Sequence, residues 1–272
     1  MTNSLISNLL FQTRRFVYTH LASIDQVLKL KNPLVILCYH RLAVDQRDRH
    51  SLDPDQFFKQ IRFLLVRRRF VSLKDIESYL YQGRPLPTPA FSLTFDDGFR
   101  DVLKIVPFCQ KFYLQPAVFA LVKPKHSKSN HASSESFLTI PELKYLLDHR
   151  FIVGCHSASH PDFTKISSRS LPKEIILSKW QLETALHTPV DYFAYPYGRY
   201  TTKSQALVKK AGYRLSLTMS DGIISPATNP LLLPRVAINR THTFSEFTST
   251  FSPSVIRLRS VLKHSPFDEL FT

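Results

Sequence analysis

Long apolar runs are missing from this sequence of 272 residues, and without a stretch of about 18 apolar residues no transmembrane helix is expected. Cysteine is scarce. Cys38, Cys109 and Cys155 are an odd number, each inside an apolar stretch, which excludes a disulfide framework and points to a reducing compartment. The first 11 residues lack a basic segment, a long apolar core and a small-residue cleavage site, so no secretory signal is expected. Internal repeats and zinc-finger spacings are absent, and no basic run is interleaved with aromatics. A nucleic-acid partner is therefore not expected. Acidic residues are also few, 21 against 36 Lys+Arg, leaving a net charge of +15. The basic residues are scattered: Arg14-Arg15, residues 67–69, 123–128, Lys209-Lys210 and 257–263. They read either as a solvated surface or as attraction to an anionic membrane or an anionic substrate.

With 43% hydrophobic and 21% charged residues, wholesale disorder is excluded, and the length suits one α/β domain with extensions. Strand-like apolar runs fall at 33–39, 90–95, 116–122, 151–155, 190–194, 213–219 and 232–238. Helical spacing falls at 55–70, 102–113, 139–149, 170–187 and 202–212. Thr139, Pro141 and Glu142 mark a helix start. This alternation predicts parallel strands covered by helices, as a barrel or a doubly wound sheet. Residues 125–136 are polar and read as a surface insertion. Before the first strand, Leu5, Ile6, Leu9, Leu10, Phe16, Val17 and Leu21 share a helical face beside Arg14 and Arg15. Such a helix either packs on the domain or lies on a membrane surface. The expected division is a helical extension at 1–30, the main domain at 31–245 and a tail at 246–272.

Three motifs carry chemistry. Thr94-Phe95-Asp96-Asp97-Gly98 ends a strand in two carboxylates; a simple Asp-Gly turn is the other reading. His156-Ser157-Ala158-Ser159-His160-Pro161 follows a strand and spaces two imidazoles so that both can meet one ion, although two surface histidines would look the same. With Asp97 they supply two nitrogens and one oxygen, leaving positions open for water and substrate. Phe193-Ala194-Tyr195-Pro196-Tyr197-Gly198-Arg199 ends a strand in a turn able to present a backbone N–H; an ordinary turn is the alternative.

In that order, each at a strand end, the motifs resemble the polysaccharide deacetylases of carbohydrate esterase family 4 (NodB homology domain), over roughly residues 33–239. Residues 37–41 (Leu-Cys-Tyr-His-Arg), Phe57, Gln60 and Leu233-Pro234-Arg235 look like the subgroup that de-N-acetylates poly-N-acetylglucosamine. The resemblance implies a distorted (β/α) barrel of about seven parallel strands. It implies Asp96 as general base and a metal on Asp97, His156 and His160 that polarises the acetyl carbonyl and activates water. The Tyr197 backbone N–H would receive the oxyanion. Zinc is the default metal, with Co, Ni or Mn also suited to the ligand set. Two departures stand out. The third motif lacks the arginine many members carry, so Arg235 is the candidate to orient Asp96. A Leu-x-His motif is absent from the tail, where only His242 and His264 occur. His40, at the end of the first strand, is then the candidate acid, against a purely structural core histidine. The implied substrate is an N-acetylated glycan or lipid-linked sugar. With the charge and the N-terminal helix, a cytoplasmic enzyme at the inner membrane face is expected. The rival readings are a same-fold deacylase of another N-acyl or cyclic amide substrate, and a non-catalytic glycan- or membrane-binding relative.

Overall fold

The structure, a computed structural model, describes residues 2–30, 34–45, 48–124 and 137–263, with side chains from residue 9 onward. The polar stretch 125–136, His264 and the side chains of Leu5 and Ile6 lie outside the described residues.

Eight parallel strands form one sheet: β1 (Val35–Tyr39), β2 (Arg69–Phe70), β3 (Ala90–Phe95), β4 (Ala117–Ala120), β5 (Ile152–Cys155), β6 (Tyr192–Ala194), β7 (Leu215–Leu217) and β8 (Val236–Ala237). Seven follow the order β7-β6-β5-β4-β3-β1-β8, and the two-residue β2 pairs with the start of β3. The strands are continuous apolar runs because both faces are covered. Ladder bonds do not join β7 to β8. Instead Ser216 and Thr218 bond residues 230–233, and the chain then bends to pair with β1. The sheet is thus a distorted, barrel-like curl.

Side-chain parity sets its contents. Ile36, Ala117, Phe119, Ile152, Tyr192, Ala194, Leu215 and Leu217 form one interior cluster. Tyr39, Leu93 and Phe95 turn outward onto Phe57, Ile61 and Leu64 of α2 (Pro54–Arg67). Val153 and Phe193 do the same with the residues of α5 (Ile140–Asp148), α6 (Ser178–Leu186) and α7 (Thr202–Lys210). Leu73 and Ile76 of α3 (Leu73–Gln82) join the interior cluster beside Leu34 and Ala90, closing the end where strands begin. The other end is open for chemistry.

Several elements differ from expectation. The helix expected over 55–70 stops at Arg67, because Arg69 and Phe70 pair with Ala90 and Phe91. Pro107 cannot donate a helical hydrogen bond, so a 3-10 turn (Arg100–Ile105) precedes α4 (Val106–Lys111), which takes the proline into its first turn. The helix over 170–187 opens as a π turn, Lys173–Leu177. Within the stretch expected as a tail, α8 (Phe244–Ser249) ends and α9 (Pro253–Leu262) buries Val255, Ile256 and Arg259.

The N-terminal helix α1 (Thr2–Val27) packs on α8 and α9. Arg14 Nε donates to Glu246 Oε1 at 2.7 Å, and Asp25 accepts from Ser254 N at 2.8 Å. Its opposite face leaves Leu9, Phe16, Ile24 and Val27 exposed. Among the described residues no helix is long and apolar enough to cross a membrane.

Candidate active site at the strand ends

The interior parity that places Ile36 inside also sends Cys38 and His40, Thr94 and Asp96, and His156 toward the open mouth of the sheet. Asp96 is fixed through its backbone, its N–H donating to Tyr39 O at 2.9 Å. Asp97 would point away by parity. Its φ of 68°, followed by 71° at Gly98, turns the chain so that its carboxylate returns to the mouth. Ser157 (74°), His160 (58°) and Tyr197 (57°) also lie in the left-handed region, so four non-glycine residues around one mouth are held there.

His156 Nδ1 lies 2.8 Å from Ala194 O. A carbonyl only accepts, so Nδ1 carries the hydrogen and Nε2 keeps its lone pair in the neutral ring. That Nε2 is 3.5 Å from Asp97 Oδ1, and His160 Nε2 is 3.3 Å from the same oxygen. Glu174, from the π turn, fastens the loop between the histidines, accepting from Ala158 N (3.0 Å), Ser159 N (2.9 Å) and Ser159 Oγ (2.9 Å).

Ligand atoms of Asp97, His156 and His160 lie within 4.8 Å of one another. Asp97 Oδ1 and His160 Nδ1 are buried without a hydrogen-bond partner among the described residues. Burial, then the charge of Asp96, pushes the Asp97 carboxyl up to about 8. Burial, then His156, pushes His160 down to about 3, and burial also lowers His156. Three desolvated donors, two of them with an orphaned polar atom, fit a divalent cation, which takes all three deprotonated.

Beside them, Arg235 grips Asp96 with two parallel bonds, Nη1 to Oδ1 at 2.7 Å and Nη2 to Oδ2 at 2.6 Å. Its Nε donates to Thr218 O at 2.9 Å, and its guanidinium lies over the Phe119 ring. Burial alone would raise the Asp96 carboxyl. Arg235, aided by His156 and His40, overrides it and holds Asp96 well below the usual carboxylate range.

Ligand atoms of Cys38, His40 and Asp96 also lie within 4.8 Å of one another. Arg235 occupies both Asp96 oxygens there, so that trio is a poor cation site. Burial, then His50, pushes His40 well below its ordinary value, and its Nδ1 has no hydrogen-bond partner among the described residues. The Tyr197 ring stacks edge-on 4.5 Å from that of His160, which brings the turn of residues 195–198 to the mouth. A Cβ on Gly198 would sit 2.2 Å from Met219 N, so this turn is pressed directly onto Met219. His242 belongs elsewhere, 3.4 Å from Arg259 Nη1 under the terminal helices. Sequence reasoning found neither Glu174 nor the Thr218–Met219 contacts, since nothing local marks a residue whose partner is far along the chain.

The model of the family described as polysaccharide deacetylase matches residues 83–216. Residues 83–216 carry the polysaccharide deacetylase domain of that family. Asp96, Asp97, His156, His160 and Tyr197 fall within the matched stretch; His40 and Arg235 fall outside it. A poly-beta-1,6-N-acetyl-D-glucosamine N-deacetylase of Staphylococcus aureus is 22% identical over 205 residues, 70% of this chain and 68% of that protein. Among solved structures, deacetylase PplD of Streptococcus pyogenes, in complex with acetate, superposes with a TM-score of 0.70 at 23% identity, covering 82% of this chain and 100% of that one. IcaB from Ammonifex degensii does so at 0.69 and 24% identity, covering 81% and 96%. These likenesses share the fold described above.

Proposed function

We propose that this protein is a metal-dependent hydrolase that removes N-acetyl groups from an amino sugar in a cell-surface glycan or its precursor. The observation that carries the reading is the His156–His160–Asp97 donor set with the Asp96–Arg235 pair against it, in the mouth of a deacetylase-family fold. The activity named for the staphylococcal relative supports the same class of substrate. Zinc is the metal we assign, from two imidazoles and one carboxylate. When bound, it supplies Lewis acidity toward the amide carbonyl and water. The chain's own groups do the rest. Asp96, kept ionised and aimed by Arg235, takes a proton from the attacking water. The Tyr197 amide donates to the oxygen that gains charge as the carbonyl carbon becomes tetrahedral. His40 protonates the leaving nitrogen. Burial keeps the resting His40 neutral, so the proton it gives is one received in the same turnover, from Asp96 beside it. The water oxygen leaves in acetate and one of its protons on the amine.

Acetate release from N-acetylated glycans, polymeric and lipid-linked, tests this. Release that stops with chelator and returns with zinc is expected. No release from any glycan by metal-loaded protein would overturn it.

We further place the enzyme on an anionic membrane surface, at the cytoplasmic face. Exposed Leu9, Phe16, Ile24 and Val27 at one- and two-turn spacing on α1, Arg15 and Lys29 nearby, and a charge of +15 support this. A second copy as occupant would meet like charge. Three unpaired cysteines suit a reducing compartment. Each basic residue near an anionic leaflet contributes about 1 kcal/mol. The protein should pellet with phosphatidylglycerol vesicles at low salt, less at high salt, and weakly as Phe16→Glu/Ile24→Glu. Absence of pelleting at low salt would end the idea. Protease protection in fractionated cells assigns the side.

A further inference from the structure

Residues 218–221, just past β7, touch the catalytic groups from two sides. On one side they hold Arg235: Thr218 O accepts from its Nε at 2.9 Å, Ser220 O from its backbone N at 3.0 Å, and Met219 Sδ lies 3.3 Å from its Nη2. On the other side Met219 N backs the Gly198 turn so closely that no Cβ fits between them. One four-residue segment therefore sets both the arginine that aims Asp96 and the turn that carries the Tyr197 amide.

That segment is itself anchored from outside the barrel. Asp221 is buried, and its Oδ1 accepts from Arg259 Nε of α9 at 2.6 Å. Arg259 is fully buried and lies 3.4 Å from both Tyr18 Oη of α1 and His242 Nε2. Its Nη2 has no hydrogen-bond partner among the described residues. A buried arginine with an unsatisfied nitrogen is a poor way to glue two helices, where apolar side chains would serve better. Its one well-formed charge-assisted bond is the one to Asp221.

We infer that Asp221 and Arg259 are positioning residues for catalysis: the pair pins residues 218–221, and through them the Asp96–Arg235 unit and the Tyr197 turn. The inference rests on the deacetylase reading for its kinetic consequence, and on geometry alone for its structural one. Misplacing a catalytic group by about 1 Å can cost on the order of 10²-fold in rate.

The test uses Asp221→Leu/Arg259→Leu, which removes both buried charges together so that neither is stranded. Arg259→Lys is the companion that keeps the charge, should the double variant fail to fold. The sequence has two methionines, Met1 and Met219, so a 13C-methyl methionine label reports on the segment directly. In the double variant the Met219 methyl signal should shift and broaden while metal content stays at the wild-type level. With kcat reduced about 10- to 100-fold and KM within about twofold, the loss is one of positioning. Arg259→Lys should fall between wild type and double variant in both readouts. An unmoved Met219 signal with wild-type kcat, in the double variant or in Arg259→Lys, overturns the inference. If the Met219 signal moves but the wild-type protein itself releases no acetate, it is the deacetylase reading that fails, while the structural pinning stands.

Discussion

Replacing Arg235 by methionine removes the cation that keeps Asp96 ionised and leaves the rest of the mouth in place. Asp96 is 2% exposed and Arg235 0%, so no water can take over when the two bonds of 2.7 and 2.6 Å are lost. Stranding one member of a buried pair costs about 3–5 kcal/mol, a large part of a typical folding stability. The cost depends on pH, with a definite sign. In the native protein the folded Asp96 carboxyl titrates below its unfolded value of 3.8. Its stabilising contribution is therefore present above that value and lost as pH falls through the lower folded one. In Arg235→Met burial acts without the opposing cation, and the folded carboxyl titrates above the unfolded value. The variant is then favoured in acid, where Asp96 is neutral, and loses stability as pH rises. The deficit should be about 3–5 kcal/mol near pH 7.5 and should shrink near pH 4.5 toward the roughly 1–3 kcal/mol of unsatisfied hydrogen bonding. Urea unfolding of metal-stripped wild type and variant at both pH values measures it, with only the chain's own charges acting. An equal deficit at the two pH values would refute the account of Asp96 as a carboxylate held ionised by Arg235.

Three further outcomes are expected. His156→Ala or Asp97→Asn should lose bound metal and turnover together, whereas Asp96→Asn should keep the metal and lose turnover; metal analysis beside acetate release separates them, and near-normal activity in Asp96→Asn would reassign the base. His40→Ala should lower kcat by about 10²–10⁴ with metal retained, and a loss under about tenfold would make His40 a structural residue. Gly198→Ala forces a Cβ to 2.2 Å from Met219 N at a φ of 65°, so a loss of about 1–3 kcal/mol is expected by thermal melting; an unchanged melting temperature would show that the turn is not pressed on Met219.

What the sequence made readable was what is encoded locally. Asp96, Asp97, His156 and His160 stand in two short motifs, each ending a strand, and a strand end is a place with a known direction. The capping pair Thr139 and Glu142 was visible for the same reason, and it forms around the start of α5. The equally local pair of Ser72 and Asp75, which caps α3, carries the same kind of signal and was not among the helix starts read from the sequence. Arg235 was reachable only by asking what could replace an absent arginine. Glu174 and the Asp221–Arg259 pair had no such handle: they hold backbone or charge 15 to 38 residues away. Their spacing obeys no period, and only the closed fold brings them together. The end of α2 was misjudged because Arg69 and Phe70 answer to the edge of β3 rather than to helical spacing.

The left-handed backbone at Asp97, Ser157, His160 and Tyr197 has a consequence for how this protein can change. Such conformations cost on the order of 1–3 kcal/mol each at non-glycine residues, and glycine or asparagine adopts them more readily. Of the eight non-glycine residues held in the left-handed region among the described residues, these four shape the mouth, so part of the heat resistance to be gained lies in the site itself. A lineage or a laboratory screen selected for thermal survival alone would collect glycine and asparagine at 157, 160 and 197, and drift toward a sturdier protein with a blunted site. The serine, histidine and tyrosine that stand there keep the shape of the site at the expense of stability.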